Sequence, residues 1–472
     1  MVWRRLGVPI FIVSWSLINL LWMATDQLLR DGDEEGHVGA MELFKEMWLQ
    51  GDFSVWFMEM WQGSYGEYPP LFAGLMGAWW GIATHFFGTT PPSDLIVRGA
   101  LLIWPMLTAA GCARIAYRID CNWKIAGAMT LLIPLLVGVG RHFMLEAMMT
   151  AFSTLSIALA LEWKHRPSIW MSILTGLCLG LGALTKQTIV FVAPWVILSV
   201  FMTSNKRWHL WIVILFCLPI IAPWFLQQIE LQENYLTASA EGKLDAHFGQ
   251  RLLFYPFTIV YALGLLLPLF ILCKSIQWRA LPAFIWVWIG TIGIFMIVPK
   301  QYPRLLLPWI TILPILWSCG WTKIHNAKLR NTIVLVAIVL GLFGLQPMNI
   351  YQTQLQQTYE ERIFANTDDG CPQIWIRTPS DQDGHLSKIS EQLLDLPTDK
   401  TVAIFGRPQI PCHIQTTHEW RYHLEPYLRR RDIEAKIVDV SDFTDPVWQD
   451  AHIQIIWNGE TIETPMQLIA ND

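Results

Sequence analysis

Acidic and basic side chains that could take part in chemistry lie in separate parts of this chain. The stretch from 26 to 67 contains ten Asp or Glu residues and only two basic residues. Its densest part is Asp33-Glu34-Glu35, which His37 follows closely. A carboxylate beside a bound substrate can act as a general base toward a hydroxyl group. The acidic stretch is therefore a candidate for proton transfer.

Five basic residues stand instead at the ends of apolar segments. They are Arg98, Arg141, Lys186, Lys300 and Arg304. A single residue of this kind can extend its charge to the membrane interface. Five of them at span ends on the same, external side of the membrane indicate a bound anion, because an unpaired charge near a bilayer is costly. An amphiphilic phosphate fits, with its tail in the lipid and its phosphate among Arg and Lys side chains.

The elements that position these residues are long apolar segments. Hydrophobic residues make up 53% of the 472-residue chain, charged residues make up 15%, and the mean hydropathy is +0.36. This composition excludes an ordinary soluble protein and predicts a polytopic α-helical membrane protein. Apolar segments are predicted at about 7–25, 71–87, 98–117, 124–139, 147–162, 168–184, 188–203, 209–226, 251–272, 280–298, 304–320 and 331–347.

Positive charge in short loops marks the cytoplasmic side of a membrane protein. Arg4-Arg5 places the N-terminus inside and the acidic stretch outside, and several later basic loops face the cytoplasm by the same rule. These loop assignments are consistent with one another only if one early apolar segment does not cross the membrane. Segment 71–87 is short, follows two prolines and contains three glycines. We therefore predict an interfacial or re-entrant segment there, about eleven true spans, and a transmembrane domain over 1–347 with its first external loop at about 26–97.

A helix that lies flat on the membrane is predicted within this external loop. Phe53, Trp56, Phe57, Met60 and Trp61 have the spacing of one helical face. A helix with an aromatic face and a polar back, next to a span, is expected to lie in the interface. The loop is thus predicted to be held against the bilayer.

The tail differs in character and is predicted to be a soluble α/β domain on the external side, residues 348–472. Its elements alternate between short apolar strands and amphipathic helices. We expect strands at Cys371–Ile376, Thr401–Gly406, Ala435–Val440 and Ile453–Trp457, with helices at 386–396 and 417–431.

Cysteines and histidines give weaker signals. Cys371 and Cys412 lie in the tail and would pair only in an oxidising compartment. We interpret His85, His142, His165, His209 and His247 as interfacial or solvated rather than as ligands, and give His142 more weight because it adjoins Arg141. The other six cysteines are interpreted as small apolar fillers in or beside spans: Cys112, Cys121, Cys178, Cys217, Cys273 and Cys319.

A series of short motifs runs through residues 1–347. In order they are Asp33-Glu34, Tyr-Pro-Pro-Leu at 68–71, Arg98, Arg141 with Glu146, Leu-Thr-Lys at 184–186, and Tyr302-Pro-Arg304-Leu-Leu-Leu-Pro308. Together they resemble the polytopic glycosyltransferases of the GT-C type, nearest to the protein O-mannosyltransferase and lipid A aminoarabinose transferase group. The resemblance implies the GT-C fold. It also implies inverting transfer of a sugar from a polyprenyl-phosphate donor to an external acceptor.

The resemblance implies a role for each matched residue. Asp33 would be the catalytic carboxylate with Glu34 beside it, although the base stays open among residues 33–35. A divalent metal ion is also left open, since Asp33 and His37 are candidate ligands that lack a third partner; no other cofactor is expected. Substrate would be bound by Glu67, Tyr68, Arg98, Arg141, Glu146, Lys186, Tyr302 and Arg304, with Arg98, Lys186 and Arg304 on the lipid phosphate and Arg141 in support.

The expected partners are the lipid-linked sugar donor, membrane lipids and a hydroxyl acceptor on protein, lipid or glycan, without nucleic acid. The expected location is the inner membrane of a bacterium, with a cytoplasmic N-terminus and with the site and tail in the periplasm. Two other classes stay open. One is a transporter or flippase of an anionic lipid, although paired halves are not evident. The other is a non-catalytic GT-C-like scaffold subunit, in which replacing Asp33 would change nothing.

Overall fold

The structure is a computed structural model that describes most of the chain up to residue 344 and four strands of the tail. The described residues are 2–25, 32–63, 68–88, 95–229, 255–256, 258–260, 262–297, 303–344, 400–405, 435–440, 453–456 and 467–470. Most of those before position 345 are helical, as their apolar composition predicts.

The helices follow the predicted apolar segments closely. They are α1 (Val2–Thr25), α2 (Gly32–Gln50), α3 (Phe53–Gln62), α4 (Leu71–Phe87), α5 (Leu95–Gly99), α6 (Ile103–Arg118), α7 (Trp123–Leu131), α8 (Pro134–Gly140), α9 (Leu145–His165), α10 (Ile169–Thr185), α11 (Ala193–Met202), α12 (His209–Gln227), α13 (Ala283–Ile297), α14 (Leu307–Ile310), α15 (Ile312–Thr322) and α16 (Ala327–Gly344). Stretches of 3-10 helix occupy Ala100–Leu102, Gln187–Phe191, Gly264–Ser275, Trp278–Ala280 and Pro303–Leu306.

Five helical segments of the described residues are long and apolar enough to cross a membrane. The segment predicted at 124–139 is broken, because α7 and α8 meet at an angle of 58°. Pro134 opens α8, and a proline there cannot continue the hydrogen-bond ladder of α7. A polytopic helical membrane protein is confirmed, and the count of about eleven spans stays a prediction. The five segments are Gly7–Thr25, Leu95–Arg118, Leu145–His165, His209–Gln227 and Arg304–Thr322.

Helix α4 is where α2 and α3 dock. It is one continuous helix, and its interfacial or re-entrant placement stays a prediction. Its glycines allow close approach, since a Cβ atom on Gly77 would lie 2.5 Å from the carbonyl oxygen of Met41 in α2. A Cβ atom on Gly74 would lie 2.5 Å from the side chain of Met60 in α3. The glycine face of α4 therefore fixes α2 and α3 against the bundle.

The aromatic residues predicted to share one face of α3 have different environments, because some pack against the protein and others are exposed. Trp61 donates its indole N–H to the carbonyl oxygen of Pro219 in α12, at 3.2 Å. That carbonyl needs a donor because Pro223, four residues later, has no N–H to offer. Phe53 and Phe57, in contrast, are about half exposed. The interfacial placement of α3 stays a prediction that this exposed apolar surface favours.

A disulfide corrects the interpretation of two cysteines as apolar fillers. Cys121 follows α6 and Cys319 lies in the last turns of α15, and the two are bonded with their Cα atoms 4.7 Å apart. Apolarity along the sequence gives no sign of this pair, because packing of α7 against α15 brings together residues that are 198 positions apart. Among the described residues, the free cysteines are Cys112, Cys178, Cys217 and Cys273.

Four strands are described in the tail: β1 (Lys400–Phe405), β2 (Ala435–Val440), β3 (Ile453–Ile456) and β4 (Gln467–Ala470). They form one sheet in the order β2-β1-β3-β4, in which β1 pairs parallel with both neighbours and β4 is antiparallel to β3. Three predicted strands coincide with β1, β2 and β3, whereas β4 was missed. The strand predicted at Cys371–Ile376, the helices and Cys371 with Cys412 lie outside the described residues, so the α/β domain stays a prediction.

Candidate active site

A buried carboxylate, Glu146, lies at the centre of the predicted site. It stands in the first turn of α9 and is fully buried. Its Oε1 atom lies 2.7 Å from Lys186 Nζ and 2.8 Å from Arg304 Nε. Both cations are themselves almost completely buried. One carboxylate thus faces two cations away from water, and the three side chains carry a net charge of +1.

The two cations come from breaks in the helical structure. Lys186 ends α10 with an extended backbone and precedes the 3-10 stretch Gln187–Phe191. Arg304 lies in the 3-10 turn Pro303–Leu306 that leads into α14. Irregular backbone at membrane depth is found where it is buried in protein or lines a cavity. Local backbone breaks therefore deliver both charges to Glu146.

The second oxygen of Glu146 is available to a ligand. Oε2 is buried and has no hydrogen-bond partner among the described residues. A buried carboxylate oxygen without a donor is costly, so this atom is suited to accept a hydrogen bond from a hydroxyl group or water.

An aromatic group lies against the cations. Lys186 Nζ is 4.8 Å from the centre of the Tyr68 ring, which is a cation–π distance. The His37 ring meets Tyr68 edge-on at 5.1 Å and Phe72 at 6.2 Å. Because His37 belongs to the acidic helix α2, these contacts join α2 to the cation cluster, which is Lys186 and Arg304 around Glu146.

Glu34 makes a second connection between α2 and the bundle. It is 2% exposed, and its Oε2 atom lies 2.9 Å from Nδ1 of His142. Its Oε1 atom accepts a hydrogen bond from the backbone N–H of Phe143, also at 2.9 Å. His142 is itself buried, and so is His209, which corrects the interpretation of these two histidines as interfacial or solvated.

Arg141 and Arg98 both contact α1. Arg141 donates from Nε to the side-chain oxygen of Asn19 at 2.7 Å and lies over the Trp22 ring at 4.6 Å. Arg98 donates to the carbonyl oxygen of Met23 at 3.0 Å. That carbonyl is in the last turn of α1, where a cation satisfies unpaired acceptors and the helix dipole. Both arginines therefore hold the end of the helix from which the acidic loop begins.

Comparison with known proteins bears on the fold of this chain. A family model described as dolichyl-phosphate-mannose-protein mannosyltransferase matches residues 100–230, which include Arg141, Glu146 and Lys186. ArnT from Cupriavidus metallidurans in the apo state superimposes with a TM-score of 0.59 at 13% identity, over 96% of this chain and 93% of that one. The chain has the GT-C fold. Its resemblance to the GT-C group is thereby confirmed.

A second GT-C structure supports the same conclusion. ArnT from Cupriavidus metallidurans bound to undecaprenyl phosphate superimposes with a TM-score of 0.58 at 16% identity, with the same coverage of 96% and 93%. No curated protein matches this chain. At these identities the likeness establishes the fold, and the roles of single residues depend on the geometry described above.

The GT-C fold brings four of the predicted residues into one cluster: Tyr68, Glu146, Lys186 and Arg304. Glu34 and Arg141 adjoin that cluster through the segment 141–146, which contains Arg141, His142, Phe143 and Glu146. Arg98 lies in the same GT-C bundle, against α1. The backbone of Asp33 lies in α2, and its side chain, Glu67, Tyr302 and Lys300 lie outside the described residues.

Sequence reasoning missed two residues that position Arg141. Asn19 and Trp22 lie in α1, which was predicted only as an apolar span. A signal was present for Asn19, because a side-chain amide inside an apolar segment needs a partner. No group of three or more His, Cys, Asp or Glu side chains that could hold a metal occurs in the described part of this GT-C chain. His37 is described, and its ring contacts Tyr68 and Phe72.

Proposed function

We propose that this protein is a membrane glycosyltransferase that moves a sugar from a polyprenyl-phosphate donor to a hydroxyl acceptor. The observation that carries the proposal is the placement of two cations, Lys186 and Arg304, on the buried carboxylate of Glu146. Both cations are almost completely buried in the membrane portion. Ionisable side chains inside a membrane protein typically mark the path or site of an ion or substrate. The phosphodiester of a lipid-linked sugar carries a negative charge that Arg and Lys side chains can bind.

The chemistry of the two cations suits a phosphate. An arginine guanidinium group presents several donors in a fixed plane, whereas a lysine ammonium group acts as a point charge. Together they can bind the donor and stabilise the charge that grows on the phosphate as it leaves. The structure of ArnT bound to undecaprenyl phosphate supports this class of donor, as does the family match to a dolichyl-phosphate-mannose-protein mannosyltransferase.

A carboxylate of the acidic helix would serve as general base. Asp33 lies one helical turn before His37 in α2, and His37 contacts Tyr68, which contacts Lys186. In the proposed step the acceptor oxygen forms a bond to the anomeric carbon as the bond from that carbon to the phosphate oxygen breaks. The proton of the acceptor passes to the Asp33 carboxylate. Single displacement inverts the anomeric centre and leaves the polyprenyl phosphate as product.

Glu146 would have two tasks in this reaction. Its Oε1 atom holds Lys186 and Arg304 in place before the donor arrives, which lowers the ordering that binding requires. Its Oε2 atom could accept a hydrogen bond from a hydroxyl group of the donor sugar. With Arg4-Arg5 on the cytoplasmic side, the site faces the periplasm, where the acceptor would be a hydroxyl group on protein, lipid or glycan.

The test measures transfer of labelled sugar from purified polyprenyl-phosphate donors to acceptors in a detergent extract, and compares the wild type with Asp33→Asn. We expect transfer by the wild type, none by the variant, and equal binding of undecaprenyl phosphate by both. Equal transfer by both proteins would contradict the assignment of the base. A folded wild type that transfers no sugar from any donor would contradict the enzyme proposal. Movement of the lipid across vesicles in place of transfer would identify a flippase, and neither activity would identify a scaffold.

A further inference from the structure

The contacts of Glu34 distinguish it from a general base. Both of its oxygen atoms are engaged, one by the His142 ring and one by the Phe143 N–H. With 2% of its surface exposed, the carboxylate offers no free face to an acceptor hydroxyl. A base must come within hydrogen-bond reach of the proton that it removes. Glu34 is instead placed as a link between two parts of the protein.

The far side of that link is the segment 141–146, which is held at both ends. At one end Arg141 bonds to Asn19 and lies over Trp22, and His142 meets Trp22 edge-on at 5.7 Å. At the other end, Glu146 holds the two cations of the site. The atoms that bind Glu34 therefore belong to the same short segment as the carboxylate at the centre of the cation cluster.

The near side of the link is the start of α2. Glu34 directly follows Asp33 in this helix, and His37 packs against Tyr68 and Phe72 one turn later. The backbone at residue 33 is thus fixed by Glu34 next to it and by His37 one turn away. Helix α2 otherwise joins the bundle through α4, further along its length.

We propose that Glu34 and His142 are positioning residues that fix the start of α2, and with it the backbone of residue 33, relative to the Glu146–Lys186–Arg304 cluster. The inference rests on the proposed function and deepens it. It assigns the base to Asp33 and gives Glu34 a structural task within the same site. A misplacement of about 1 Å can cost roughly 100-fold in rate, so loss of this contact should lower kcat strongly.

The first test compares the kinetics of Glu34→Gln, Glu34→Ala, His142→Ala and the double alanine variant. Glutamine keeps an acceptor for the Phe143 N–H and a polar group for His142, but it cannot take a proton as a carboxylate does. We expect Glu34→Gln to keep kcat within about tenfold of the wild type. Both single alanine variants should lose about 100-fold in kcat with donor KM nearly unchanged. The double variant should be no worse than either single one, because the two residues act as a unit.

Glu46→Gln is the matched control, since Glu46 lies on the same helix and is half exposed. Its kcat should equal that of the wild type. Loss of activity in Glu34→Gln as complete as in Asp33→Asn, with donor binding kept, would overturn the inference and leave the proposed function intact. Additive losses in the double variant would also overturn it.

A second measurement does not depend on activity. Hydrogen exchange of the backbone amides at the start of α2 should become faster in Glu34→Ala and in His142→Ala, because the contact that fixes this end is gone. Exchange in Glu46→Gln should match the wild type. Unchanged exchange in both alanine variants would overturn the inference whatever the enzyme assay gives. A wild type without any transferase activity would count against the proposed function, and hydrogen exchange alone would then decide the positioning role.

Discussion

Helix α9 carries a carboxylate near each end, and each carboxylate pairs with two cations. Glu146 in the first turn pairs with Lys186 and Arg304, while Glu162 near the last turn pairs with Arg114 and Arg118. The charge count is the same at both ends. The exposure to solvent differs between the two ends. Glu146 is fully buried, whereas the Glu162 side chain is 14% exposed and that of Arg114 is 46% exposed.

The origin of the cations differs as well. Arg114 and Arg118 are one turn apart on α6, so a single helix–helix contact delivers both to Glu162. Lys186 and Arg304 come from two separate backbone breaks, far apart in the sequence. Water can screen the excess charge at the Glu162 end. The Glu146 end is shielded from water, and buried ionisable groups inside a membrane protein typically mark a functional site, which is why we assign function to one end of α9 and a structural tie to the other.

The largest contrast is expected on removing each carboxylate. Glu146→Ala removes the carboxylate that pairs with two buried cations, which should cost about 3–5 kcal/mol in the free energy of unfolding. Glu162→Ala leaves partly solvated arginines and should cost about 1 kcal/mol or less. Denaturant unfolding in the same detergent would measure both. Similar losses for the two variants would contradict the comparison, because the two ends would then be energetically alike.

The next contrast concerns the cations and the lipid donor. Lys186→Ala or Arg304→Ala should each weaken binding of undecaprenyl phosphate by about 10- to 100-fold, since each removes a hydrogen bond to a charged group worth about 1.5–3 kcal/mol. The protein should stay folded, because the remaining Glu146 pair is neutral. Arg118→Ala is the control and should bind the lipid like the wild type. Equilibrium binding to the purified proteins would check this, and weaker binding in Arg118→Ala alone would move the phosphate site to the other end.

A smaller contrast is expected at two tyrosines, each of which lies beside cations. Tyr68 faces Lys186 at 4.8 Å, and Tyr117 faces Arg114 at 5.0 Å and Arg118 at 5.5 Å. Tyr68→Phe keeps the ring and should bind the donor normally, whereas Tyr68→Ala should weaken binding by about 2- to 30-fold, from a cation–π contribution of about 0.5–2 kcal/mol. Tyr117→Ala should leave donor binding unchanged. Titration with undecaprenyl phosphate would measure all three variants, and a normal Tyr68→Ala would show that the ring does not orient Lys186.

The sequence was sufficient for what depends on local pattern. Long apolar runs predicted the helices, because burial in a bilayer requires them, and the motif order predicted that Glu146, Lys186 and Arg304 share a site. It was not sufficient for the pairing itself. Contacts such as Lys186 with Glu146, 40 residues apart, and Arg141 with Asn19, 122 residues apart, depend on how separate helices pack.

The same limit explains the misread residues. Composition assigns Cys121, Cys319 and His142 by their neighbours in the sequence, where an apolar or interfacial setting is the reasonable interpretation. Their real partners come from other elements: the two cysteines bond to each other, and His142 contacts Glu34 across 108 positions. Sequence pattern therefore predicts which segments are buried, whereas packing decides which polar atoms meet.

The disulfide gives the smallest expected effect and the sharpest test of whether the two ends of α9 are independent. Cys121 follows Arg118 by three residues, so the bond lies at the Glu162 end, while Arg304 lies beyond the opposite end of α15 from Cys319. Replacing both cysteines with serine should leave undecaprenyl phosphate binding within about twofold of the wild type, as expected of separate sites without shared partners. The single variants Cys121→Ser and Cys319→Ser are controls for effects of an unpaired thiol. Binding that falls tenfold or more in the double variant and in both single variants would mean that α15 transmits its tether to Arg304, and the two ends of the molecule would then be coupled rather than independent.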